Sequence, residues 1–99
     1  MASFNELIAS KDLVLVDFTA TWCGPCQVLA PILHDLKEDM GDQLSILKID
    51  VDKNQQLASN YRVQGVPTLI LFKEGTQVWR QSGVVPLDQL KQIVNQQLA

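Results

Sequence analysis

The stretch Leu13-Val14-Leu15-Val16-Asp17-Phe18-Thr19-Ala20-Thr21-Trp22-Cys23-Gly24-Pro25-Cys26 decides how the chain is read. Its first seven residues are almost unbroken apolar, the pattern of a strand buried on both faces. Beyond them two cysteines stand three positions apart. Pro25 lies between them, where the first turn of a helix accepts a residue without an N–H. Apolar residues then recur at Val28, Leu29, Ile32, Leu33 and Leu36, a spacing that predicts a long helix from near Cys23 to Met40 with Gly41 as its stop. Pro31 sits inside this helix, removes one hydrogen bond and is expected to kink it. The cysteines therefore fall where a buried strand gives way to a helix. A helix N-terminus presents unpaired N–H groups and about half a positive charge. A thiolate placed there is stabilised, which lowers the pKa of the thiol. Cys23, at the mouth of the turn, is expected to be exposed and nucleophilic, and Cys26, one turn further, to be shielded.

Working outward, Ser3-Phe4-Asn5-Glu6 has the form of a capping box and opens a short helix to about Ser10. A strand is expected over 44–51 and a short helix over 55–61. The turn Gln64-Gly65-Val66-Pro67 leads into a strand over 68–72, and Glu74-Gly75 returns the chain as a hairpin over 77–81. Gly83 breaks that strand, and a last helix spans 86–98. There Leu90, Ile93, Val94 and Leu98 alternate at helical spacing with a solvated row of glutamines. The order β-α-β followed by a hairpin predicts an α/β fold, in which one central mixed sheet carries helices on both faces.

Length and composition narrow the function classes. The 99 residues suit one domain over 1–99, long enough to fold without a disulfide or metal staple. A net charge of −3 argues against nucleic acid and anionic membranes as partners. Residues 1–10 carry no basic residue or long apolar run, so no leader peptide is expected. Two cysteines are too few for a multi-bridge secreted framework, and His34 as the one histidine leaves too few soft ligands for a structural zinc site. The pair is thus two packed thiols, half of an iron–sulfur site shared between two copies, or a redox couple. Its place at the tip of a helix within β-α-β favours the redox couple. The run Asp50-Val51-Asp52-Lys53-Asn54 resembles the start of a calcium loop but has Gln55 where Gly is required and Tyr61 where the bidentate Glu belongs. His34 reads as a solvated helix residue and Trp79 as packing.

The core Trp22-Cys23-Gly24-Pro25-Cys26, with Val16-Asp17-Phe18 before it and Lys48-Ile49-Asp50, Gly65-Val66-Pro67-Thr68, Phe72-Lys73-Glu74-Gly75 and Gly83 after it, resembles the thioredoxin family over essentially the whole chain from Leu13 onward. The resemblance implies the thioredoxin fold and a redox-active electron carrier that reduces protein disulfides without a bound cofactor. Its Gly24-Pro25 pair is the one carried by reducing members. It implies Cys23 as nucleophile, Cys26 as resolving thiol, Asp17 as a buried acid/base behind Cys26, and Lys48 as the residue that tunes Asp17. It implies a cis bond before Pro67 and a docking surface of Trp22, Gly24, Pro25, Gly65, Val66, Pro67, Gly83 and Val84. It implies disulfide-containing protein substrates, an NADPH-dependent thioredoxin reductase as partner, and a cytoplasmic location.

Three positions depart from the family pattern. Thr19 stands where many members have a second tryptophan, which alters solvent access to Asp17, and Gln27 stands where a lysine is common. The capping box at Ser3 leaves no room for the strand with which members usually open. Four strands are therefore expected, with 44–51 at a sheet edge guarded by Lys48, Asp50 and Asp52, and the protein is expected to be a monomer. The rival readings are an oxidant or isomerase of exported proteins and a binding subunit whose cysteine chemistry is incidental.

Overall fold

The computed structural model describes residues 3–99. Met1 and Ala2, the start of the segment read as carrying no leader, lie outside the described residues. The elements run α1 (Phe4–Ala9), β1 (Leu13–Thr19), α2 (Gly24–Met40), β2 (Ser45–Asp50), α3 (Gln55–Asn60), β3 (Thr68–Lys73), β4 (Thr76–Ser82) and α4 (Leu87–Leu98). Both halves of the capping box are formed. Ser3 Oγ accepts the Glu6 N–H at 3.2 Å, and Glu6 Oε1 accepts the Ser3 N–H at 3.4 Å. Helix α2 continues through Pro31 and ends at Gly41, whose φ of +57° suits a residue without a Cβ. Lys37 Nζ secures this end by donating to the carbonyls of Gly41 at 2.8 Å and Leu44 at 2.6 Å.

The described strands form one mixed sheet in the order β2-β1-β3-β4. β1 runs parallel to β2 and antiparallel to β3, and β3 is antiparallel to β4. The expected four-stranded sheet is present, with β2 at one edge.

Side-chain alternation sends the odd residues of β1 to one face and the even ones to the other. Leu13 and Leu15, with Leu69 and Leu71, meet Leu29, Leu33 and Leu36 of α2 and Leu90 and Val94 of α4. Trp79 packs on the edge of that cluster, as expected for a hairpin tryptophan. Val14, Val16 and Phe18, with Ile70 and Phe72, meet Ile8 of α1 and, at the margin, Leu57, Tyr61 and Val63. Every residue of β1 is buried, because helices cover both of its faces and strands flank both of its edges.

This arrangement fixes α2 against the sheet through Leu29, which is fully buried, while its neighbour Val28 is 57% exposed. Leu29→Ala is expected to lower the unfolding free energy by about 2–5 kcal/mol, and Val28→Ala by no more than about 0.5 kcal/mol. Urea denaturation of the two variants checks this, and equal losses would contradict the assigned face.

Candidate active site

Cys23 is the N-cap of α2. Its backbone is extended, and its Sγ accepts the Cys26 N–H at 3.1 Å. Gly24 and Pro25 occupy the first helical positions, and Pro25 there withholds no needed donor. One turn brings the cysteines to a Cα–Cα distance of 5.3 Å, and they are joined as a disulfide. Cys26 is 6% exposed, as expected, but Cys23 is only 4% exposed, against the expectation of an open sulfur. The cause is the turn itself. Capping the helix points the sulfur inward, where Ala20, Val51 and Val66 enclose the pair. The neighbouring Thr21, Trp22, Gly24 and Pro25 are exposed, Trp22 at 69%, and the Trp22 indole N–H donates to Asp52 Oδ2 at 2.8 Å.

The segment before β3 lies against the disulfide. The Val66 carbonyl oxygen is 3.6 Å from Cys23 Sγ. The Val66–Pro67 peptide is cis. Thr68 Oγ1 donates to the Gly65 carbonyl at 2.6 Å, and the Gly83 N–H donates to the Pro67 carbonyl at 2.9 Å. A Cβ built on Gly24 or Gly65 meets nothing within 4 Å, so neither glycine is demanded by packing inside this chain. Gly83, at φ +91°, is demanded by its backbone. Val84 beside it is exposed. Trp22, Gly24 and Pro25 thus lie at the helix tip that holds the disulfide, Val66 lies against it between Gly65 and Pro67, and Gly83 is tied to this loop through the Pro67 carbonyl with Val84 next to it.

Behind the pair, Asp17 points to the face of β1 that α2 covers. It is 4% exposed, and its Oδ1 has no hydrogen-bond partner. Burial pushes its carboxyl up to about 6, although the ammonium of Lys48 pulls the other way. Lys48 stands directly opposite Asp17 in the parallel ladder, itself exposed. A cleft of about 430 Å³ lined by Thr19, Cys26, Gln27, Ala30, Lys48 and Asp50 opens beside the second cysteine. A second, of about 270 Å³, shares Ala30 and Lys48 with it and reaches Asp17.

Comparison with known proteins agrees with this geometry. The family model described as Thioredoxin matches residues 1–96. The chain belongs to the thioredoxin family. It is 47% identical over 89 residues to thioredoxin of Bacillus subtilis, covering 90% of this chain and 86% of that one. It is 44% identical over 98 residues to the chloroplastic thioredoxin Y of Oryza sativa, covering 98% of this chain but 58% of that one. Among solved structures, a mutant thioredoxin from Halobacterium salinarum NRC-1 superposes with a TM-score of 0.88 at 44% identity, over 96% of this chain and 82% of that one. A disulfide-forming pair at this position in a thioredoxin makes the chain a dithiol–disulfide oxidoreductase.

Two features of this thioredoxin were not visible in its sequence. Asp52, read only as a guard of the sheet edge, holds the Trp22 indole from 30 residues away. Asp50 Oδ1 accepts the N–H groups of Asp52 at 2.8 Å and Lys53 at 3.3 Å, so the calcium-like run spends that carboxylate on its own turn. His34 is a surface residue that pairs with Glu38 at 3.0 Å.

The environment of Asp17 sets a pH dependence. Its carboxyl holds a proton more tightly in the folded chain, at about 6, than at the ordinary value of 3.8. The corresponding stability is complete below about pH 4 and is lost as pH rises through about 6, a change of about 3 kcal/mol. Asp17→Asn removes this titration. The oxidised variant is expected to gain stability over the parent as pH rises from 4 to 8, and urea unfolding at both pH values measures it. A difference that is constant with pH would contradict the raised carboxyl.

Proposed function

We propose that this thioredoxin works as a general reductant of protein disulfides. The observation that carries the reading is the bond from the Cys26 N–H to Cys23 Sγ, which places one sulfur of the pair at the positive end of a helix. In the reduced chain the Cys23 thiolate attacks one sulfur of a substrate disulfide. A Cys23–substrate mixed disulfide forms and one substrate thiolate leaves. The Cys26 thiolate then attacks Cys23 Sγ, closing the Cys23–Cys26 disulfide and releasing the second substrate thiolate. Two electrons have passed from the chain to the substrate.

Cys26 must lose its proton before it attacks. Asp17 accepts that proton through water that links the cleft beside Cys26 to the one that reaches Asp17, the two sharing Ala30 and Lys48, and Lys48 tunes its affinity for it. A carboxyl titrating at about 6 is matched to proton transfer near neutral pH. Thr19 lines the same cleft and leaves room for water there.

Substrate docks on Trp22, Gly24, Pro25, Gly65, Val66, Pro67, Gly83 and Val84, with the Val66 backbone pairing to an extended substrate segment as an added strand. The bare Cα of Gly24 and of Gly65 lets the substrate backbone approach closely. An NADPH-dependent thioredoxin reductase returns the dithiol. The chain acts as one domain over 1–99, in the cytoplasm. It stays monomeric, because Lys48, Asp50 and Asp52 discourage pairing along the β2 edge. The relative from rice carries a chloroplastic name.

Insulin reduction with dithiothreitol tests the assignment. Cys23→Ser is expected to fall to the uncatalysed rate. Cys26→Ser is expected to accumulate a mixed disulfide at Cys23, visible as a mass increase removed by excess reductant. Full activity of Cys23→Ser, or no trapped adduct with Cys26→Ser, would contradict it.

A further inference from the structure

Arg80 stands on β4, away from the disulfide. It pairs with Ile70 across the ladder and so lies on the face of the sheet that α1 and α3 cover. Its guanidinium donates to two successive backbone carbonyls, that of Tyr61 and, at 2.9 Å, that of Arg62. These residues directly follow α3. The end of a helix leaves carbonyls without intrahelical partners and gathers partial negative charge. A planar cation with several fixed donors answers two adjacent carbonyls at once, which a lysine does not. The turn it holds is unusual, since Arg62 has a φ of +55°, in the left-handed region that favours glycine.

From this turn only Val63-Gln64-Gly65-Val66 remain before the carbonyl that lies 3.6 Å from Cys23 Sγ. The far end of the same loop is held from the same strand. Thr68 Oγ1 gives its proton to the Gly65 carbonyl at 2.6 Å, and Ser82 Oγ donates to Thr68 Oγ1 at 3.0 Å. Arg80 and Ser82 are two residues apart on β4 and project from one face. One strand face therefore pins both ends of the segment 61–68, and the span between carries exposed Gln64 and Gly65.

We propose that Arg80 is a positioning residue for substrate docking, holding the α3–β3 turn so that the Val66 backbone stands ready to pair with a protein disulfide beside Cys23. The inference rests on the reading of Val66 as a docking backbone. Arg80 acts through the loop and not on the sulfur. Its loss therefore separates two activities. A protein disulfide needs the loop, whereas a small one such as hydroxyethyl disulfide needs only the Cys23 thiolate.

The test compares Arg80→Gln, Arg80→Lys and Val66→Asp in the full chain, with insulin and hydroxyethyl disulfide as oxidants and dithiothreitol as reductant. Arg80→Gln is expected to raise the KM for insulin about fivefold with kcat within about twofold, as misplaced docking groups do. The rate with hydroxyethyl disulfide stays within about twofold, because no reacting atom has moved. Arg80→Lys, which keeps the charge without the fork, recovers part of the loss. Amide exchange at Val63, Gln64, Gly65 and Val66 accelerates while that of β1 does not. If Val66→Asp raises the insulin KM and Arg80→Gln does not, the role of Arg80 is overturned and the docking reading stands. If Val66→Asp also leaves it unchanged, the docking reading itself falls. Equal slowing of both oxidants by Arg80→Gln would show a general structural defect and would likewise overturn the inference.

Discussion

One hydrogen bond organises the chemistry of this molecule: the N–H of Cys26 donated to the sulfur of Cys23. At this helix start the capping acceptor is sulfur, weak when neutral or disulfide-bonded and strong as thiolate. The same bond that starts α2 therefore aims a helix N–H at the sulfur of Cys23. It can do so because the helix start is not free to move. β1 is buried along its full length, and Leu29, Leu33 and Leu36 key α2 to the sheet. The position of the sulfur follows from packing many residues away from it.

The other half of the site depends on the opposite edge of the sheet. The Val66 carbonyl reaches the disulfide because the loop before β3 is tied to β4 and to the residue that follows it. Gly83 supplies one tie with its N–H, at a φ that a side chain would resist. Two rigid elements thus meet at the disulfide, a helix tip from one side and a strand-anchored loop from the other. Asp17 completes the arrangement from beneath. An ionisable group buried without a partner at one oxygen is unfavourable for the fold, and such groups concentrate where protons are moved.

Much of this was legible in the residues. The apolar run of β1, the helical spacing of α2 and the turn signals around Gly75 and Gly83 report local geometry directly, and each element formed within a residue or two of its expected bounds. The four-stranded sheet followed from the capping box at Ser3. The burial of Asp17 followed from its apolar neighbours. What the residues did not report were contacts between distant segments. Cys23 was expected to be open because a helix mouth is usually open, yet Val66, 43 residues on, lies against its sulfur. The Trp22–Asp52 bond and the Arg80 fork likewise join segments that no periodicity links. Spacing shows where a side chain starts and not what arrives to meet it.

We propose that folding singles out one sulfur of the pair as the reactive one, although both are buried. Competitive alkylation of the reduced chain with iodoacetamide at neutral pH, followed by mass mapping at low conversion, tests it most directly. The first label is expected on Cys23, with Cys26 modified only after the chain is unfolded. Equal labelling of the two, or a first label on Cys26, would contradict it.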